Sequence, residues 1–123
     1  MPLEVDALRT ALAEVSLPAG GDAVQRGKPI AARLRAFLEQ NRGGSRIVDL
    51  DDHGLWVHFA TAEGEPRHWE IECYSPDDFR IYPGFAHGDT ITWANIWVRG
   101  SNLTVDELVE QLNDVAFRKE ENA

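Results

Sequence analysis

The sequence predicts an α+β domain in which helices flank an antiparallel sheet at both ends of the chain. Three observations carry that prediction. Apolar residues recur at helical spacing up to about Asn41, the period drops to two between Ser45 and Val98, and helical spacing returns after Leu103. With 123 residues, 43% of them hydrophobic, the chain can build one core and reads as a single domain over 1–123.

In the first segment, Leu3 to Val15, the side chains of Val5, Leu8, Leu12 and Val15 share one helical face, with Glu4, Arg9 and Glu14 left to water. Ser16 to Lys28 holds Pro18, Gly20-Gly21 and Gly27, and reads as a flexible connection. Pro29 suits the first turn of a second helix, where its missing N–H costs nothing; Ile30, Leu34, Phe37 and Leu38 form the apolar stripe. Gly43-Gly44 ends that helix beyond Asn41.

Ile47, Val48 and Leu50 lead into the turn cluster Asp51-Asp52-His53-Gly54, after which Leu55, Val57 and Phe59 alternate with Trp56, His58 and Ala60. A turn at Ala62–Pro66 precedes the alternating run His68–Tyr74, and Ser75-Pro76-Asp77-Asp78 opens a short strand from Phe79 to Tyr82. After Pro83-Gly84 and Gly88 comes the longest run, Thr90 to Val98, which is partly apolar on both alternating lists and so reads as a central strand buried on two sides. Together these make an antiparallel meander of about five strands. The final helix has the clearest start, with Thr104 and Glu107 spaced as a capping box and Leu103 and Leu108 as its staple. Its stripe, Val105, Leu108, Leu112 and Val115, is expected to pack on one face of the sheet against Leu55, Val57, Phe59, Trp69 and Ile71. The tail, Arg118 to Ala123, is expected to fray.

Charge is distributed unevenly. The net charge is −9; residues 49–89 hold 10 Asp/Glu against 2 Lys/Arg, or −8, while residues 1–48 carry 7 basic and 5 acidic groups, or +2. Such a field repels phosphate backbones and anionic membranes and steers basic partners inward, so neither nucleic acid nor membrane is an expected partner. The lone cysteine, Cys73, rules out an intrachain disulfide and a multi-cysteine zinc site. It alternates with Trp69 and Ile71 as a core residue, and with the acidic N-terminus MPLEVDALRTALAEV it fits a reducing, cytoplasmic setting.

If the turn at Glu63-Gly64 keeps the apolar lists together, the opposite sheet face collects Trp56, His58, His68, Glu70, Glu72, Tyr74, Arg80 and Tyr82. Mixed aromatic and charged groups of this kind are enriched at recognition surfaces. His58, His68, Glu70 and Glu72 could also approach a metal or serve as acid and base, but no HExxH, EF-hand, dinucleotide or Ser–His–Asp pattern is present, and no metal, cofactor or catalytic residue is assigned. The glycine-rich GGDAVQRGK lacks phosphate-loop spacing. The expected function is a non-enzymatic module docking a basic partner protein through those eight residues, in the manner of an immunity protein, an inhibitor or a small chaperone. Two alternatives are a small enzyme or ligand-binding protein built on the His/Glu/Trp face, and a homodimer subunit that buries the Trp-rich last strand.

Overall fold

Alternation decides which face of the sheet the helices cover. Val57, Phe59, Ile71, Cys73, Phe79 and Ile81 are all buried on one side, where Val57 pairs with Ile71, Ile71 with Ile81, and Cys73 with Phe79. The computed structural model describes residues 2–117, so the expected fraying of Arg118–Ala123 lies outside the described residues. Its elements are α1 (Val5–Ala13), α2 (Ala23–Gln40), β1 (Ile47–His53), β2 (Trp56–Thr61), β3 (His68–Ser75), β4 (Asp78–His87), β5 (Thr90–Trp93) and α3 (Val105–Val115). Single 3-10 turns lie at Arg42–Gly44 and Val98–Gly100. The five strands pair antiparallel in chain order, so the α+β class and the meander are as the sequence predicts.

The three helices share one core with the covered face of the sheet. Leu8 and Leu12 from α1, Ile30, Leu34 and Leu38 from α2, and Leu108 and Leu112 from α3 close over it. The division of labour differs from the expectation in one respect: α2 lies across β1, β2 and β3, while α3 meets the sheet at β4 and braces α1. Leu103 ties the start of α3 to β4 through reciprocal backbone hydrogen bonds with Phe79 at 2.9 and 2.7 Å. The capping box forms as expected, with the backbone N–H of Thr104 donating to Glu107 Oε1 at 3.0 Å and that of Glu107 donating to Thr104 Oγ1 at 3.3 Å.

Two expectations are corrected. The segment read as a flexible connection up to Lys28 is helical from Ala23, because Asp22 caps α2 by accepting from the Gln25 N–H at 2.8 Å. Pro29 therefore sits inside the helix, where the loss of a backbone bond costs about 3 kcal/mol. Gly27, earlier in the same helix, faces the sheet. A Cβ there would stand 2.3 Å from the Cys73 carbonyl oxygen and 2.6 Å from Leu55 Cβ, so Gly27 lets the helix press directly on the sheet. The second correction concerns the last strands. β4 does not stop at Tyr82 but runs through Pro83, whose carbonyl accepts from the Ala94 N–H at 3.0 Å, and on to His87. β5 is a short, largely exposed edge strand rather than a central strand buried on both sides. The apolar residues beyond it leave the sheet: Ile96 is 72% exposed, and Trp97 folds back over the open face. Among the described residues, no helix is long and apolar enough to cross a membrane.

Candidate functional site

All eight residues singled out in the sequence fall on the face of the sheet away from the helices, and strand pairing sets them in rows. Trp56 stands opposite Glu72, and Glu72 opposite Arg80; His58 stands opposite Glu70, and Glu70 opposite Tyr82. His68 occupies a third row, between Ala60 and Gly84.

The first group is organised by one carboxylate. Glu72 Oε2 accepts from Trp56 Nε1 at 3.1 Å, while its Oε1 accepts from the hydroxyls of Tyr74 at 2.7 Å and Tyr82 at 2.9 Å. The Arg80 guanidinium lies 4.0 Å from the same oxygen, stacks 4.9 Å over the Tyr74 ring and 4.4 Å over that of Trp97, and donates from Nε to Asn102 Oδ1 at 2.8 Å. Burial, followed by the bond to Glu72, pushes the Tyr74 hydroxyl up to about 12. With its side chain only 14% exposed and its lone pairs in use, Glu72 fastens an aromatic platform and has little acceptor capacity left for a partner.

The second group is built around His58. Its Nε2 lies 3.1 Å from Glu70 Oε1, and its ring stacks on that of Trp93 with centroids 5.1 Å apart. In a flat sheet, β2 and β5 would lie about 14 Å apart at the usual strand spacing of about 4.8 Å. The contact therefore requires the sheet to curl and Trp93 to fold inward. Gly84 permits this: a Cβ there would stand 2.5 Å from the indole, which lies directly on the β4 backbone. No family model, curated protein or solved structure matches this chain.

Curling creates a recess of about 200 Å³ whose walls include Asp49 and Asp51 from β1, His58 and His68 from the middle strands, and Ile91 and Trp93 from β5. The two aspartates project from alternate positions of β1, and Asp51 stands opposite His58. Asp52, on the other side of the strand, is held by Arg35 of α2 at 3.0 Å. Asp49 and Asp51 take part in no ion pair among the described residues. Asp51 Oδ1 accepts from the Asp52 backbone N–H at 2.9 Å, which leaves its second oxygen open. Among the described residues, no three His, Cys, Asp or Glu side chains are placed to hold a metal ion.

Sequence reasoning thus located the platform but missed the recess beside it. Asp49, Asp51, Ile91 and Trp93 were absent from its candidate residues. Carrying the register back across the turn at Gly54-Leu55 would have brought Asp51 to His58. No comparable signal pointed to Trp93, because both alternating lists around it are apolar.

Proposed function

We propose that this chain is a non-enzymatic protein-binding module that docks a basic partner on the curled open face, in the manner of an immunity protein, an inhibitor or a small chaperone. One observation carries the reading: two aspartates without ion-pair partners among the described residues face a tryptophan across a recess. An anionic wall and an aromatic wall in one cleft suit a cationic side chain, which gains ion pairing from one and cation–π attraction from the other. Size favours a side chain over a free ligand. Small-molecule sites enclose roughly 300–1,000 Å³, and this recess encloses about 200 Å³. The net charge of −9 adds a field that attracts basic proteins.

The platform residues Trp56, Tyr74, Arg80 and Tyr82 would meet the partner as a rigid aromatic surface, with His58, His68, Glu70 and Glu72 holding their places beside or beneath it. The test isolates the partner from host extract on immobilised chain, elutes it with salt, and then measures association kinetics with both components purified. Asp49→Asn combined with Asp51→Asn should slow association and flatten its salt dependence. Wild-type rates in that double variant would overturn the proposal.

A further inference from the structure

We infer that the recess selects arginine over lysine, so that the partner segment it receives is an arginine-bearing one; this rests on the basic-partner reading above. The shape and chemistry of the walls make the distinction. A guanidinium is planar, weakly hydrated and carries five N–H donors in a fixed fork, whereas an ammonium is a compact, strongly hydrated point charge with three. Entering a recess lined on one side by an indole and the apolar side chain of Ile91 strips hydration from the cation. That loss is smaller for arginine.

The carboxylates that line the recess stand on one wall, β1. Asp49 offers both carboxylate oxygens and Asp51 its second, from alternate positions on a single strand. A forked donor can span two acceptors while its flat face stacks on Trp93, whereas an ammonium has no plane to stack and meets the ring only as a strongly hydrated point charge. The aromatic wall is fixed before any partner arrives, since the indole is seated on Gly84 and stacked on His58 at 30° between ring planes. A preformed wall lowers the ordering entropy paid on binding. Ala60, which shares the open face with His58, gives the recess an apolar floor for the methylene stem that carries the guanidinium.

The probes are three fluorescent peptides with a common Gly/Ser backbone carrying three Arg, three Lys or three citrulline residues, titrated by anisotropy at low and at moderate salt. The expected result is that the Arg peptide binds about tenfold more tightly than the Lys peptide, and that citrulline binds least. Trp93→Leu should erase the Arg preference while leaving salt-dependent binding of both cationic peptides. Because Trp93 helps to hold β5, Asp49→Asn with Asp51→Asn serves as the second variant; both positions are exposed, and the pair should weaken Arg and Lys binding together. Equal, salt-dependent binding of Arg and Lys peptides would overturn arginine selection and leave the basic-partner reading standing. Failure of both cationic peptides to bind would overturn both.

Discussion

Glu72→Gln is a nearly isosteric change with an asymmetric consequence. The amide keeps one oxygen, which can still accept from Tyr74 and Tyr82, but turns an NH2 group toward Trp56 Nε1, where a donor now faces a donor across 3.1 Å. Hydrogen bonds to a charged acceptor contribute about 1.5–3 kcal/mol each, against about 1 kcal/mol for neutral ones. One such bond is lost, two are weakened, and Arg80 loses the counter-charge 4.0 Å away. Water reaches the open face and recovers part of the deficit, so the net loss should be about 2–3 kcal/mol. Urea unfolding followed by tryptophan fluorescence measures it. A second readout is independent of folding: the Tyr74 hydroxyl, held at about 12 by burial and by Glu72, should titrate lower in the variant, as followed by absorbance of tyrosinate. In the wild type the folded state holds that proton more tightly than the unfolded chain, whose value is near 10, so this contribution is complete below pH 10 and is lost as pH climbs toward 12. A variant within about 0.5 kcal/mol of wild type, with its tyrosine titration unmoved, would refute the role given to Glu72.

Other substitutions address the core. Gly27→Ala should destabilise by about 1–3 kcal/mol despite the gain of about 1 kcal/mol in helix propensity, because backbone at 2.3 Å cannot step aside; Gly20→Ala, with nothing within 4 Å, is the neutral control in thermal melts. Leu108→Ala removes a fully buried side chain from α3 and should cost about 2–5 kcal/mol in chemical denaturation. Burial and nearby carboxylates raise the Cys73 thiol far above its ordinary range, so a maleimide or aromatic disulfide reagent should label it only at the rate of unfolding; prompt labelling of native protein would contradict the packing beneath Gly27.

What the sequence revealed follows from which residues act locally. Trp69, Ile71 and Cys73 alternate with His68, Glu70, Glu72 and Tyr74, and a period of two places each on its side without further information. The capping box at Thr104 and Glu107 likewise needs nothing outside four residues. Gly27 resembles a breaker because its role belongs to another element: only the position of Cys73 beneath α2 explains the glycine. In β1, a register shift between Ile47 and Asp49 leaves Val48 exposed and interrupts the alternation, which hid Asp49 and Asp51 among turn-forming acids. A count of charges likewise could not separate carboxylates consumed inside the fold, such as Glu72 and Asp52, from those left facing the recess.

The recess takes one wall from the first strand of the sheet and the other from the last. No partly assembled meander contains it, and its integrity depends on the last hairpin, where β5 is an edge strand and Phe85 and Ile91 are exposed. Segments of this kind open locally at a small fraction of the global unfolding free energy. Each opening would carry Trp93 off Gly84 and abolish the cleft while α1, α2 and the central strands stayed folded. Apparent affinity then scales with the closed fraction of one hairpin. A substitution at Thr90 or Thr92, which lie outside the recess lining, could therefore weaken binding several-fold with no change in melting temperature, and a bound partner would slow amide exchange most in β5.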